Sequence, residues 1–312
     1  MLASTALLSG LIDYAGLFPP AGLGMSAAVR NYDAYRRGPR AWMLGRLIVA
    51  ATRLAEFEAV RCAEAAADSP APWRLSALIG SDIDTDIDAA LAFSAAVGAA
   101  GSPVVLDTWE VKVQSPDDVF RASARVPGRV RVAFEIPIQG DVRPQRAALL
   151  DAIFHAGATA KARTGGVTAA GFPTTAEVAA FLWDCARAGV PFKATAGLHH
   201  RVRGEYPLTY SAGSPTGVMH GFLNLFVAAA IARADAARQA KAAGPGVPAL
   251  LAAVLDERDP SAFSVGPEAV RWRELSLSAA DLSDTRSAFA RSFGSCSFEE
   301  PIAELIATGV PL

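Results

Sequence analysis

"ATAKARTGGVTAAGFPTTAEVAAFLWDCARAGVPFKATAG", residues 158–197, contains one complete strand, helix and strand. Residues 158–163 and 190–197 are short apolar runs of strand length. Between them, 174–189 opens on a threonine N-cap signal and stops at Gly189. Its apolar residues Val178, Phe181, Leu182 and Cys185 fall at i, i+3, i+4 and i+7, the spacing of one helix face. A helix joining two strands makes them parallel neighbours in a sheet covered by helices.

The same alternation runs outward in both directions. Strands are predicted at 10–14, 42–50, 73–80, 103–109, 130–138, 158–163, 190–197 and 218–226, with Ala-rich helices such as 53–67 between them. Eight such units predict a (β/α)8 TIM barrel over residues 1–240, a size typical of that fold. No Gly-x-Gly-x-x-Gly fingerprint follows the first strand and no phosphate-cradling Walker loop occurs, which counts against an open nucleotide-binding sheet. "KAAGPGVP" (241–248) reads as a hinge. Residues 241–312 are then a C-terminal extension, helical and irregular, that packs on the barrel or makes a homo-oligomer contact.

Composition narrows the function classes. A hydrophobic content of 52% in 312 residues fills one large core, and a net charge of -2 without a long basic run lacks the footprint of a nucleic-acid binder. The cysteines Cys62, Cys185 and Cys296 are odd in number and widely spaced, which predicts neither a disulfide framework nor a structural zinc site and fits a reducing cytoplasm. Cys62 and Cys185 sit among apolar residues on helix faces and are predicted to be core. The N-terminal apolar stretch has no basic leader and is interrupted by Asp13, against a cleaved signal peptide. The longest later apolar run, 219–232, is shorter than the roughly 20 residues that span a bilayer. The expected partner is a small molecule.

Lysine usage then points to a site. Only Lys112, Lys161, Lys193 and Lys241 occur among 29 basic residues, so ordinary cation positions are filled by arginine. A lysine amine can lose its proton and attack a carbonyl, whereas a guanidinium cannot. Lys161 and Lys193 lie near the C-terminal ends of neighbouring strands, the end of a barrel that carries active sites. Two buried ammonium groups facing one pocket repel, which predicts that one pKa falls toward neutrality.

The stretch 157–203, with Lys161 before "ARTGG" and Lys193 before "ATAG", resembles the strand-six to strand-seven segment of deoxyribose-phosphate aldolases, which are class I aldolases on a (β/α)8 barrel. The resemblance implies that Lys161 forms a Schiff base, that Lys193 lowers its pKa, and that Asp107 and Glu135, the latter matching the family's strand-five glutamate, relay protons through water. It also implies that no cofactor is needed. Two departures weigh on the substrate. Ala196-Gly197-Leu198 stands where the family has Gly-Gly, and no Gly-Ser-Ser-like turn follows the predicted eighth strand. Arg163, which can fork onto a carboxylate or phosphate, points instead to a carboxylated or otherwise anionic carbonyl compound.

Further candidates surround the lysines. Thr164, Gly165, Gly166 and Thr195 follow them at the strand ends, and Asp13 ends the first strand. His199 and His200 lie past strand seven and point opposite ways, so at most one faces the pocket, as an acid–base group, a hydrogen-bonding group or a metal ligand. An alternative reading is a metal-dependent hydrolase or lyase using His199 or His200 with Glu135 and an aspartate around a divalent metal. A third is a barrel that binds a metabolite without catalysis. His155 is predicted to end a helix and His220 to line strand eight. "SDIDTDID" (81–88) lacks the glycine and distal glutamate of a calcium loop and is read as helix capping.

Overall fold

The computed structural model describes residues 1–65, 71–239 and 246–310. Its centre is a closed barrel of eight parallel strands, in the order β1 (Ile12–Tyr14), β2 (Leu44–Ala50), β3 (Trp73–Ile79), β4 (Val104–Lys112), β5 (Arg131–Glu135), β6 (Thr159–Arg163) and β7 (Phe192–Thr195), closed by β13 (Ala290–Ser295) between β7 and β1. Helices cover it outside: α2 (Met25–Arg37), α3 (Leu54–Glu64), α4 (Ile83–Ala99), α5 (Pro116–Ser123), α6 (Arg143–His155), α7 (Thr175–Ala188) and α8 (Phe222–Gln239). The fold is a (β/α)8 TIM barrel.

Local signals explain the element ends. Asp82 caps α4 through Thr85, the role expected of the acidic run. Thr174 and Glu177 form a reciprocal capping box at the start of α7, and Gly189 ends it at φ 67°. His155 is the last residue of α6, with Nδ1 2.9 Å from the Asp151 carbonyl.

The eighth strand is not where the sequence predicts it. Within 218–226, only Val218 and Met219 are extended. They belong to an antiparallel hairpin of β8 (Gly204–Pro207) and β9 (Thr216–Met219), and Phe222 begins the long α8. The apolar run of 219–232 exceeds strand length, and its alanines favour helix, so from Phe222 on it folds as a buried helix against the barrel. The true closing strand, "ARSFGS", is rich in small and polar residues because its inner face meets polar groups. Ser292 bonds to Asp13, and Gly294 lies where a Cβ would come 3.0 Å from Thr195 Oγ1.

Residues 241–312 are therefore not an appendage behind a finished barrel, because the barrel closes only at β13. The segment also supplies α9 (Val247–Asp256), a three-stranded antiparallel sheet of β10 (Phe263–Val265), β11 (Ala269–Trp272) and β12 (Leu275–Ser278), and two helices, α10 (Ala279–Asp284) and α11 (Glu299–Ala307). The sheet and α10 pack against α1 (Ala3–Leu8), ahead of β1. Most of the predicted hinge lies outside the described residues. No helix among the described residues is long and apolar enough to cross a membrane.

Candidate active site

Parallel registry sets the site. Lys112 pairs with Glu135, Glu135 with Lys161, and Lys161 with Lys193, so four ionisable residues form one row across β4 to β7. Side chains two residues apart on a strand share a face, which places Glu110 just beneath this row on β4. Charged residues this deep in a barrel must be paired.

The pairing is asymmetric. Lys193 donates hydrogen bonds to Asp13 Oδ2 at 2.8 Å and to Glu110 Oε1 at 2.6 Å. Asp13 also accepts from the Ser292 hydroxyl at 2.6 Å and the Arg46 backbone N–H at 2.7 Å, and Glu110 accepts from the Ser76 hydroxyl at 2.8 Å. Lys161 Nζ lies 2.9 Å from Glu110 Oε2 and 2.8 Å from Glu135 Oε2. These are charge contacts without hydrogen-bond alignment, and Glu110 Oε2 has no directed donor. Glu110 thus stands between the two lysines, and Lys161 is held less tightly than Lys193.

Both lysines are only 3% exposed, yet they differ in access. Lys161 borders a cavity of about 310 Å³ at the C-terminal mouth, together with Glu110, Arg163, Gly166, Thr195 and His199. Lys193 and Asp13 are not among the residues that line it. Phe18, Ile48, Leu78, Leu208 and Met219 add apolar walls, the last two from the hairpin and its loop.

The electrostatics correct the expectation that the lysines repel. Burial disfavours the Lys193 ammonium, but Asp13 and Glu110 outweigh it and raise its pKa above the usual 10.5. Burial likewise favours the neutral acids. Lys193 and Arg46 nevertheless hold Asp13 below 3.8, and Lys161 and Lys193 hold Glu110 far below 4.5. Glu135 is lowered in the same way, against burial, by Lys161 and then Arg163. Three carboxylates face two ammonium groups, and Lys193 stays charged.

Several predicted residues have other roles. Asp107 is the extra residue of a β4 irregularity, between Leu106 and Thr108, which pair with Leu75 and Ser76. Three residues before Glu110, it is held by Arg46 and by Arg74, the latter at 2.8 Å, toward the N-terminal end of the barrel and away from the mouth. Asp13 buttresses Lys193 and does not line the cavity. Thr164 donates to the Ala196 carbonyl at 2.8 Å, tying two mouth loops together. Gly165 is a packing glycine, since a Cβ there would lie 2.6 Å from Gly197 Cα.

The two histidines diverge as their adjacency demands. His199 faces the cavity. His200 contacts Glu304 Oε1 at 2.6 Å and stacks on Tyr206 at 3.4 Å between ring centroids. The ligand set of a metal reading is therefore not assembled: His199, His200 and Glu135 have separate partners. Among the described residues no group of three or more His, Cys, Asp or Glu side chains is placed to hold a metal ion. His220 is fully buried, with Nε2 2.7 Å from the Pro173 carbonyl. Cys185 is core as expected, but Cys62 is exposed.

With the eighth strand at β13, Gly294 and Ser295 are its last two residues and Cys296-Ser297 begin the turn after it, so a glycine–serine pair is present at the end of strand eight. The helix it feeds, α11, begins with Glu299 and Glu300. Their charge opposes an anion there and offsets the attraction of the helix N-terminus.

Sequence reasoning missed Glu110, Cys296, Tyr210 and Glu300. Glu110 was within reach, since the β-favouring run "TWEVKV" carries β4 past residue 109. The other three depended on locating β13 and the hairpin. The chain matches no protein-family model and no curated protein.

Proposed function

We propose that the protein is a class I aldolase-like lyase that forms a carbinolamine and then a Schiff base at Lys161 with a small anionic carbonyl compound. One observation carries this reading: Lys161 is a buried amine at the edge of an open cavity, in contact with two carboxylates that can take and return its proton. The likeness of 157–203 to deoxyribose-phosphate aldolases points the same way.

The attacking amine must first be free. Glu135, 2.8 Å from Nζ and nearer the mouth than Glu110, takes the proton. It returns the proton to the carbinolamine oxygen, which leaves as water. Lys193 remains charged and shares Glu110 with Lys161, one carboxylate oxygen to each. The resulting iminium is an electron sink for making or breaking the adjacent carbon–carbon bond.

Arg163 supports an anionic substrate. Its side chain is 57% exposed and its ion pair with Glu135 is long, at 3.7 Å, so the guanidinium can turn to a ligand. It borders both the main cavity and a neighbouring one of about 240 Å³ that contains Lys112, Gln114 and Gln139. A carboxylate fits this cationic corner better than the turn before α11.

Oxygen exchange tests the reading, because forming and hydrolysing a Schiff base swaps the carbonyl oxygen with water. A panel of 2-oxo acids labelled with ¹⁸O should lose label faster with wild-type protein than alone, and at the uncatalysed rate with Lys161→Met. Equal exchange with both proteins rejects the reading. Thermal stabilisation by a panel member without exchange favours a metabolite-binding barrel.

A further inference from the structure

Beside the lysine row is a second cluster that the Schiff-base chemistry does not use. His199 follows β7, Ser295 ends β13 with Cys296 directly after it, Glu300 lies in the first turn of α11, and Tyr210 comes from the loop of the β8–β9 hairpin. His199 Nδ1 lies 3.3 Å from Ser295 Oγ, 3.4 Å from Glu300 Oε2 and 3.9 Å from Cys296 Sγ. The Tyr210 hydroxyl donates to Glu300 Oε2 at 2.8 Å and sits 3.5 Å from Cys296 Sγ.

Every one of these His199 contacts is made at Nδ1. Among the described residues, Nε2 has no hydrogen-bond partner, and the ring lines the same cavity as Lys161. A carboxylate on one imidazole nitrogen fixes the ring and favours its protonated form, leaving the other nitrogen free to exchange a proton with a ligand. Cys296 is not placed as a nucleophile in a relay. Its sulfur shares Nδ1 with Glu300, whereas a relay needs base and orienting acid on opposite nitrogens.

We propose that His199, oriented by Glu300, is the acid–base group for the second reactant at this site, an aldehyde acceptor whose oxygen lies at Nε2. The proposal rests on the Schiff-base reading. In the bond-forming direction the enamine on Lys161 supplies the electron pair for the new carbon–carbon bond to the acceptor carbon. The acceptor's carbonyl pair moves onto its oxygen, which takes the Nε2 proton. The enamine nitrogen becomes iminium and His199 becomes neutral; cleavage runs the same steps backward. The ligand in that direction is a β-hydroxy carbonyl compound. Glu300 is a positioning residue, and Tyr210 holds Glu300.

Charge favours this role. Burial lowers the His199 pKa, but Cys296 and Glu300 outweigh it and raise the value to about 9, so the ring is an acid at neutral pH. Its titratable and charged neighbours are Cys296, Glu300 and Tyr210 at Nδ1, with Lys161, Arg163 and Glu110 around the same cavity.

The test separates donor from acceptor chemistry, with pyruvate as donor and glycolaldehyde as acceptor. Borohydride-trapped adduct on Lys161, and deuterium uptake at the pyruvate methyl group in D2O, report the donor half alone. Condensation product reports the whole reaction. His199→Asn and His199→Gln should keep the donor half within about twofold and lose condensation by ~100-fold or more. In Glu300→Gln the fall of condensation with rising pH should begin at lower pH, because the imidazolium has lost its carboxylate. Unchanged condensation in both His199 variants, or equal loss of all three readouts, overturns the proposal. Absence of any wild-type adduct on Lys161 instead overturns the Schiff-base reading, and this proposal with it.

Discussion

Glu110 is one carboxylate serving two buried ammonium groups, with one oxygen on Lys193 and the other on Lys161. Glu110→Gln keeps the shape but leaves two lysines sharing Asp13 and Glu135. Breaking a buried ion pair this way costs about 3–5 kcal/mol, which urea denaturation at neutral pH should register; a loss under about 1 kcal/mol contradicts the pairing. The same groups set the pH dependence of stability. Asp13, Glu110 and Glu135 are lowered on folding, so their contribution is present above their ordinary values of 3.8 and 4.5 and is lost as pH falls through the folded values. His199 is raised from 6.5 to about 9, so its contribution is full below 6.5 and disappears as pH rises through 9. Lys193 is raised above 10.5, so it acts only at higher pH still. Denaturation midpoints should therefore fall below about pH 4.5 and again between 6.5 and 9, with the second decline absent in His199→Asn. A wild-type plateau across 6.5 to 9 contradicts the His199 assignment. Lys161, Glu135, Arg163, Gly166 and Thr195 were legible as neighbours from residue type and place at a strand end, and His199 only as one of a pair with His200. Which lysine faces the cavity was not, because that depends on Asp13, from the other end of the chain.

Among the elements, β4 shows where a strand-level reading goes wrong. Period-two alternation from Leu106 puts the next inward residues at fixed offsets, and the irregularity at Asp107 shifts them by one. Asp107 thereby goes to Arg46 and Arg74, and Glu110 takes the place facing the lysines. Asp107→Asn should lower stability by about 2 kcal/mol through lost charge-assisted bonds and leave adduct formation at Lys161 unchanged. Loss of adduct in a folded Asp107→Asn protein contradicts this placement. The other barrel strands up to β7 were legible because each shows a short apolar run followed by a helical segment, with Asp82, Ser115 and Thr174 capping α4, α5 and α7. β13 was not, because Ser292, Gly294 and Ser295 give it the composition of a loop, while the more apolar 222–232 folds as a helix.

At the scale of the molecule, the barrel is closed by joining the two ends of the chain, β1 to β13, with Ile12, Asp13 and Tyr14 paired to Phe293, Gly294 and Ser295. A fragment of residues 1–240 therefore lacks a strand, exposes two sheet edges and loses the Ser292 bond to Asp13. It should fail to give a cooperative unfolding transition by calorimetry, whereas a fragment that melts cooperatively near the full chain's temperature contradicts the closure. The fold class was legible despite the misplaced eighth strand, since eight repeated units predict a barrel wherever the last one lies. The domain boundary at 240 was not, because it depended on which segment supplied that strand.

In the proposed Schiff-base chemistry Lys161, and not its neighbour, is the amine that meets the substrate. The direct measurement is borohydride reduction of the protein with a panel of aldehydes and 2-oxo acids, with the adduct located by peptide mass spectrometry. The expected result is an adduct on Lys161 that is lost in Lys161→Arg and weakened in Lys193→Arg. An adduct on Lys193, or none across the panel with folded protein, contradicts it.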